Sequence, residues 1–210
     1  IIQGVLLFIY YALIAAGLSF MFSVMRIINL AHGSLAILAA YALFVLAQNF
    51  GISPFLGLLI VLPAMAVIGF VLQRFVLDRA LRAGQLVPIL ATFGLSIVID
   101  NALFEGFGAN TRSLSNFVGS LSYDSIALPG NIYVGELSVG IFVLAIAVLG
   151  GLQLFLSFTP YGRAIRATSE DPDTAGLVGI NARLATAVAS AIALVTVGLA
   201  GAALGLRGTF

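Results

Sequence analysis

Polar side chains near the start of the chain interrupt an otherwise apolar sequence. Arg26, Asn29 and His32 lie close together, and Gly33 follows directly. An ionisable residue inside a membrane span is costly and usually functional, and broken helices whose freed backbone groups face a cavity recur along transport paths. The pattern predicts a polar path beside a helix break, lined by Asn29, His32 and Gly33. The alternative is that Arg26 anchors a helix at the membrane surface while Asn29 and His32 cap helix ends there.

A second set of polar side chains follows further along the chain. Thr92, Ser96 and Asp100 are spaced i, i+4 and i+8, which places them on one helix face, and Asn101 lies beside them. A polar stripe in a membrane helix normally faces the bundle interior or a water-filled path. From this pattern, path lining and hydrogen bonding between helices both stay open.

Motifs for catalysis are absent from the sequence. It contains no Walker A motif, no HExxH, no GxSxG and no pair of intramembrane carboxylates. It has no cysteine, so thiol chemistry is excluded from these residues, and a net charge of +1 argues against a nucleic-acid surface. We expect no catalytic residue, no metal site and no cofactor bound by this chain, so it is not expected to be an enzyme. Any uphill transport would draw its energy from elsewhere.

The segment 159–183 is polar and carries signals for capped helices between two apolar runs. Asp171 before Pro172 predicts an N-cap with proline at the first helical position, and the charge of Asp173 suits the helix dipole. Gly179 is placed to end this helix in a left-handed cap. We expect a short helix of about two turns whose small apolar surface consists of Ala175, Leu177, Val178 and Ile180.

This short helix follows Arg163 and Arg166, which lie three apart on one face of a preceding helical turn. A rigid, partly apolar helix that projects from the membrane suits docking into a groove of a partner protein. The alternative is an amphipathic connector lying on lipid headgroups. Glu170, Asp171 and Asp173 oppose an anionic membrane surface, which favours docking.

The elements that hold these motifs follow from composition. The 210 residues are 61% hydrophobic and 8% charged, against about 25% charged in soluble domains. Charge-free runs indicate membrane spans because lipid offers backbone polar groups no partner outside their own helix. We predict an all-α polytopic membrane protein, a single transmembrane domain over 1–210 with a discontinuous early helix. Its six spans are predicted at about 4–25, 33–48, 54–72, 87–104, 136–157 and 184–205.

The last of these spans contains a motif for close helix packing. Gly201 and Gly205 form a GxxxG pair in an apolar helix, and Gly198 extends the same face. Small residues of this kind let membrane helices approach each other closely. The motif therefore predicts how the bundle is built and does not indicate what it carries.

The distribution of arginines predicts the orientation of these spans. If 159–183 is cytoplasmic, only Arg112 and Arg207 lie outside. The segment 105–135 is then an ordered external loop, and both ends of the chain are expected to be cut from a longer protein. The arginines expected inside are Arg26, Arg74, Arg79, Arg82, Arg163, Arg166 and Arg183.

Four stretches resemble the permease subunit of branched-chain amino-acid ABC importers, the high-affinity leucine/isoleucine/valine type. Residues 12–33 contain an I-N-x-A-H-G motif, and residues 86–101 contain a T-x-G-x-S block. Residues 73–82 resemble the arginine-bearing loop after the third span, and residues 161–181 resemble the cytoplasmic coupling loop. The blocks occur in the family's order and cover nearly the whole chain.

This resemblance implies a heteromeric importer in a bacterial inner membrane, surrounded by lipid, with about eight spans in the complete permease. Two permease subunits, identical or related, would form the pore, and two cytoplasmic ATPase subunits that bind ATP-Mg would drive it. A periplasmic binding protein would deliver the solute. The residues expected to couple to the ATPases are Arg163, Arg166, Glu170, Asp171, Pro172, Ala175, Gly176, Leu177 and Gly179.

On the same view the substrate path involves Asn29, His32, Gly33, Thr92, Ser96 and Asp100. Members of the family import urea, short-chain amides or aromatic carboxylates as well as branched-chain amino acids, with nearly the same motifs. The sequence therefore leaves the solute open. The alternative function is a self-sufficient secondary transporter or channel for a small solute.

Overall fold

The computed structural model describes residues 2–25, 27–84, 86–119, 125–128 and 132–210. Side chains are described for these residues apart from 2–10, 14, 25, 125–128 and 132–134. Arg26, one of the arginines predicted inside, lies outside the described residues. Parts of the predicted external loop, 120–124 and 129–131, lie outside them too.

Helices make up most of the described chain, and each predicted span falls on one of the six longest. The predicted all-α polytopic fold is therefore confirmed. A π-helical segment, Leu72–Leu77, continues α3 directly into α4. In chain order the helices are α1 (Ile2–Met25), α2 (His32–Phe50), α3 (Pro54–Val71), α4 (Asp78–Ala83), α5 (Val87–Phe107), α6 (Glu136–Phe158), α7 (Pro160–Glu170), α8 (Pro172–Leu177) and α9 (Ala182–Arg207).

The long helices make the chain a multi-pass membrane protein. Helix α1 has 24 residues, which at 1.5 Å per residue extends about 36 Å, and its Tyr11–Val24 stretch is apolar. The predicted break in the early helix is present as the non-helical residues 27–31 between α1 and α2. Five further helical stretches are long and apolar enough to cross a membrane, namely His32–Phe50, Pro54–Ala83, Val87–Phe107, Glu136–Phe158 and Ala182–Arg207.

Helix α9 lies at the centre of the bundle. In its most apolar stretch of 18 residues, 72% is buried. Helix α9 packs against α1, α2 and α3. A Cβ added at Gly201 would lie 2.0 Å from the carbonyl oxygen of Ala36 on α2. A Cβ added at Gly69 of α3 would lie 2.5 Å from the carbonyl oxygen of Ser190. Glycine at these two positions thus lets α9 contact the backbones of α2 and α3 directly.

Helices α5 and α6 lie at the periphery of the bundle. In their most apolar stretches of 18 residues, only 22% of α5 and 11% of α6 is buried. Apolar surface of this extent suits lipid or another membrane subunit. The large side chains that face outward include Leu90, Phe93, Val98 and Phe104 on α5 and Val143, Ile146, Leu154 and Phe158 on α6.

Residues 108–119 of the predicted external loop fold back onto the bundle. The amide of Arg112 donates to the carbonyl of Phe210, and the amide of Phe210 donates to the carbonyl of Arg112, both at 2.9 Å. The Arg112 guanidinium lies 5.4 Å from the centre of the Phe44 ring on α2, within range of a cation–π contact. These bonds hold the described start of the loop against α2 and the end of α9.

A short hairpin precedes α6, and the sequence analysis did not predict it. Strands β1 (Ser125–Leu128) and β2 (Ile132–Gly135) pair antiparallel, with Ser125 opposite Gly135 and Leu128 opposite Ile132. The segment between residue 105 and α6 is therefore partly strand, and no other strand lies in the described ranges.

Candidate translocation path and coupling loop

Asn29 is built into the turn between α1 and α2. Its side chain is 2% exposed, and its Oδ1 accepts a hydrogen bond from the amide of Ala31 at 3.0 Å. Its Nδ2 lies 3.6 Å from the sulfur of Met21. An asparagine that bonds the backbone two residues ahead mimics a turn and stabilises it. In this conformation Asn29 shapes the break from inside and does not line an open surface.

His32 begins α2 and is buried where three helices meet. A Cβ added at Gly17 of α1 would lie 3.0 Å from Cε1 of His32 and 2.6 Å from Oγ1 of Thr196 on α9. Gly17 therefore leaves room for the imidazole against α9. Gly33, by contrast, is exposed, and no described atom lies within 4 Å of a Cβ added there. The predicted site residues at the break thus divide into two buried side chains and one open backbone position.

Thr92 of α5 joins the break to the polar stripe. It is fully buried, and its Oγ1 accepts a hydrogen bond from the amide of Leu30 at 3.1 Å. The same hydroxyl donates to the carbonyl of Ile89 at 3.1 Å. Leu30 lies between Asn29 and His32, so the structure brings together two motifs that are 62 residues apart. The sequence predicted both motifs but gave no sign that they touch.

The polar stripe becomes more exposed along α5. Ser96 is half-buried, and its hydroxyl donates to the carbonyl of Phe93 at 2.7 Å. Asp100 and Asn101 are exposed, and the Asn101 amide donates to the carbonyl of Ile97 at 2.7 Å. A carboxylate facing lipid would be costly, and such groups in membrane helices normally face protein or water. The exposed face around Asp100 is therefore expected to meet protein or water rather than lipid.

The predicted coupling loop begins with a tight corner between α6 and α7. Thr159 caps α7 by accepting a hydrogen bond from the amide of Gly162 at 2.9 Å. A Cβ at Gly162 would lie 2.3 Å from the carbonyl oxygen of Phe155, so only glycine fits there. Ile165 is buried while Arg163 and Arg166 are exposed. Helix α7 thus packs its apolar side on α6 and α9 and presents both arginines outward.

Helix α8 starts at the predicted cap. The Asp171 carboxylate accepts hydrogen bonds from the amides of Asp173 at 3.0 Å and Thr174 at 3.2 Å, and Pro172 occupies the first turn. The Thr174 hydroxyl also donates to this carboxylate. These hydrogen bonds lower the pKa of Asp171, because they favour the charged carboxylate. The Thr174 hydroxyl contributes most, followed by the Thr174 amide, and the amide of Asp173 contributes less.

Helix α8 ends at the predicted glycine. Gly179 has a φ of 83°. Its amide donates to the carbonyl of Gly176, and the amide of Ile180 donates to the carbonyl of Ala175. This pair of bonds is a Schellman motif. Ala175 is buried, whereas Leu177 and Val178 are 87% and 72% exposed. The loop is therefore a short helix fixed at both ends, with an apolar tip pointing away from the bundle.

The sequence matches the family model described as branched-chain amino acid transport system, permease component, over residues 1–210. The chain belongs to this permease family. Its resemblance to the importer permeases, first indicated by four sequence blocks, is thereby confirmed. A permease of this kind is a component of a transport system, and that role fits the helical bundle described above.

Individual relatives agree with the family match. The permease is 29% identical to the high-affinity branched-chain amino acid transport system permease protein BraD of Pseudomonas aeruginosa, over 94% of this chain and 67% of BraD. It is 33% identical to the probable branched-chain amino acid transport permease protein LivH of Methanocaldococcus jannaschii, over 80% of this chain and 54% of that protein. LivH of Salmonella typhimurium is 24% identical, over 97% of this chain and 68% of LivH.

The permease chain thus spans about half to two thirds of the length of these curated relatives. No solved structure matches it.

Gln73 and Thr168 are among the buried polar residues of the permease that sequence reasoning missed. Gln73 is 0% exposed and Thr168 is 3% exposed, and the Gln73 amide donates to Oδ1 of Asp78 at 2.8 Å. In an α-helix, residues five apart point roughly 140° away from each other, so this bond depends on the π-helical segment. A glutamine within an apolar helix was the available signal, but its partner could not be read from α-helical spacing.

Proposed function

We propose that this chain is the transmembrane permease of an ATP-driven importer in a bacterial inner membrane. The family match supports a transport role, and the names of the relatives support branched-chain amino acids or a similar small polar solute. Two ATPase subunits that bind ATP-Mg would supply the energy. A second permease subunit would complete the pore, and a periplasmic binding protein would deliver the solute to the 105–135 side.

Helix α8 is the observation that carries this proposal. An exposed leucine and valine at the end of a helix with two well-formed caps favour docking into a groove of a partner protein. Arg163 and Arg166 are both exposed on α7. Their charges would meet the rim of such a groove. Because α7 packs on α6 and α9 and touches α1, movement of a docked ATPase would reach three spans through one rigid loop.

The substrate path in this proposal runs along the exposed face of α5 and past the break at 27–31. The Thr92–Leu30 hydrogen bond ties these two elements together. Ser96 and Asp100 supply polar groups on α5, where Asp100 is exposed and Ser96 is half-buried, and Gly33 is open at the start of α2. A second permease subunit placed against α5 would enclose the path and remove the carboxylate from lipid.

The test is purification of the full-length tagged permease with its natural partners in mild detergent. We expect two ATPase subunits and a second permease to copurify, and we expect the complex to import leucine into proteoliposomes only with ATP and the binding protein. A Walker A lysine substitution in the ATPase is the matched control and should abolish uptake.

The opposite result is equally clear. If the permease alone imports solute into liposomes without ATP, the protein is a secondary transporter or channel and the importer proposal fails. If the complex assembles and hydrolyses ATP but imports urea or an amide instead of leucine, the coupling proposal stands and the solute assignment is wrong.

A further inference from the structure

The π-helical segment Leu72–Leu77 stores a spare residue within a long helix. It joins α3 to α4 without a break, so that Pro54–Ala83 is one helical stretch of 30 residues. The amide of Asp78 donates to the carbonyl of Gln73, five residues earlier, whereas an α-helical amide bonds to the carbonyl four residues earlier. This turn therefore contains one residue more than an α-helical turn. Turns of this kind are rare within α-helices and occur frequently at functional sites.

The π-helical turn leaves buried polar atoms without partners. Gln73 is fully buried, and its Nε2 donates to Oδ1 of Asp78 at 2.8 Å. The remaining side-chain oxygens, Oε1 of Gln73 and Oδ2 of Asp78, are buried and lack a hydrogen-bond partner among the residues that the structure describes. Unpaired buried polar atoms are costly. The turn is thus stabilised by one side-chain hydrogen bond and destabilised by two unpaired atoms, and a different turn can compete with it.

Arg74 offers Asp78 a second partner. The two residues are four apart, the spacing at which side chains meet on one face of an α-helix. In the π-helical turn Nη1 of Arg74 lies 3.9 Å from Oδ2 of Asp78, beyond hydrogen-bond distance. In an α-helical turn residues five apart diverge by roughly 140°, so Asp78 would lose Gln73 and accept a charge-assisted hydrogen bond from Arg74. Neither turn satisfies every polar group, so the two can lie close in free energy.

The spare residue lets α4 turn relative to α3. If the turn becomes α-helical, the extra residue joins the helix, and the part after it rotates by roughly 100° and advances about 1.5 Å. Helix α3 is held in place, because its Gly69 lies directly against the backbone of Ser190 on α9. Helix α4 packs on α5 and ends at Gly84, whose φ is 145°. Rotation of α4 would therefore displace the start of α5, which carries Thr92 beside the break.

We propose that the π-helical segment is a register switch, which alternates between the π-helical turn seen here and an α-helical turn during transport. In the first register Asp78 bonds Gln73, and in the second it bonds Arg74. The change rotates α4 and displaces α5, so that the hydrogen bond between Thr92 and Leu30 is broken and the path beside it changes shape. The two registers follow from the geometry of this chain, whereas their use in transport rests on the proposed function.

Deletion of Phe75 removes the spare residue and is the first test. Phe75 is 54% exposed. Without it, a continuous α-helix would place α4 and α5 where they lie now, with Gln73 and Asp78 four residues apart. We expect normal membrane insertion, normal copurification of the ATPase and a melting temperature within about 4 °C of wild type. ATP-dependent uptake should fall roughly tenfold or more, because only one register remains.

Deletion of Val67 is the matched control for folding. Val67 is also exposed, at 62%, but it lies in the α-helical part of the chain just before Gly69. Its loss would turn Gly69 by roughly 100° away from Ser190, so this variant should insert poorly or melt well below the Phe75 deletion. Equal destabilisation by the two deletions would show that the π-helical segment stores no spare residue, and would overturn the inference.

The rotation itself is measured at Ala80 on α4. Ala80 is 6% exposed and Leu81 is 41% exposed, and a turn of roughly 100° carries Ala80 to the present direction of Leu81. Ala80→Cys supplies the one thiol among the 210 residues. In the complete complex we expect a water-soluble thiol reagent to label it at rates that differ about fivefold or more between the nucleotide-free and ATP-bound states. Gln73→Leu should speed labelling without nucleotide, and deletion of Phe75 should abolish the difference.

The outcomes separate the register switch from the proposed function. If uptake is normal in the Phe75 deletion, or if Ala80→Cys is labelled equally in both nucleotide states, the switch is overturned and the importer stands. If wild type shows no ATP-driven uptake, the proposed function fails. The two registers then stand if Gln73→Leu speeds labelling of Ala80→Cys and deletion of Phe75 removes this effect, and equal labelling in all of these variants overturns them as well.

Discussion

Thr92 is the single residue that connects most of the candidate path. Its hydroxyl accepts a hydrogen bond from the amide of Leu30 within the break, and the side chain is fully buried. We predict that Thr92→Val leaves this amide unpaired and destabilises the protein by about 1–3 kcal/mol. That loss corresponds to a fall in melting temperature of roughly 2–4 °C per kcal/mol for a chain of this size, measurable by thermal unfolding in detergent.

The conservative variant Thr92→Ser keeps the hydroxyl and serves as the control. It should melt within about a degree of wild type if the hydrogen bond supplies most of the effect. Equal melting of the valine and serine variants at a lowered temperature would assign the loss to the methyl group and its packing instead.

The N-cap that Asp171 provides for α8 is expected to weaken in acid and to hold at neutral pH. The pKa of Asp171 is lowered from its ordinary value of 3.8 by the donated hydrogen bonds. A carboxyl whose pKa is lower in the folded protein stabilises it above the unfolded value, and the stabilisation is lost as pH falls through the lowered value. We predict that hydrogen-exchange protection of the Asp173 and Thr174 amides is constant near neutral pH. It should fall only when the pH drops below the ordinary pKa of an aspartate. Asp171→Asn, which cannot titrate, should lack this fall, and the same fall in both proteins would contradict the assignment.

At the scale of elements, the position of α9 depends on contact with backbone rather than side chains. We predict that Gly201→Ala forces α9 away from Ala36 and destabilises the bundle by about 1–3 kcal/mol. Gly151→Ala on α6 is the control, because Gly151 is exposed and no described atom lies within 4 Å of its added Cβ. Thermal unfolding should show a lowered midpoint for Gly201→Ala alone, and matching midpoints would mean that α2 and α9 separate without cost.

Helix α8 can be altered without altering the bundle. No described atom lies within 4 Å of a Cβ at Gly176, so Gly176→Trp adds bulk only on the outward side. We predict normal membrane insertion and melting, but at least tenfold slower ATP-dependent uptake and loss of copurified ATPase. Gly151→Trp adds the same bulk to α6 and should retain the ATPase. Full uptake by Gly176→Trp at normal expression would rule out α8 as the docking element.

At the scale of the whole molecule, the exposed stripe on α5 predicts where water and a second subunit meet this chain. Ser96 and Val98 lie two residues apart, roughly 200° around the helix, and Val98 is 64% exposed. The 210 residues contain no cysteine, so each single substitution introduces the one thiol among them. We predict that Ser96→Cys in the assembled complex reacts with a water-soluble thiol reagent at least tenfold faster than Val98→Cys.

Under the proposed function, the labelling rate of Ser96→Cys should also change with ATP, because an ATP-driven path would open alternately to the two sides of the membrane. Equal, slow labelling at both positions would mean that α5 faces lipid all round, which would remove Ser96 and Asp100 from the path.

Much of the fold could be predicted because membrane helices are specified by local sequence. Lipid offers no partner to backbone groups, so a charge-free run of sufficient length must be a helix. The caps of α8 were equally local, since Asp171, Pro172 and Gly179 each act within a few residues of their own position. The hairpin before α6 was missed because the alternation that marks strands is too short there to stand out.

The sequence by itself therefore determined the class of protein, the long helices and the caps of α8, because hydropathy and capping are set by neighbours along the chain. Only the tertiary structure decided that Leu30 donates to Thr92 and that Gly201 lies against Ala36. These contacts join residues far apart in sequence, and their partners are chosen by how the helices pack. A single sequence carries no local signal for that packing.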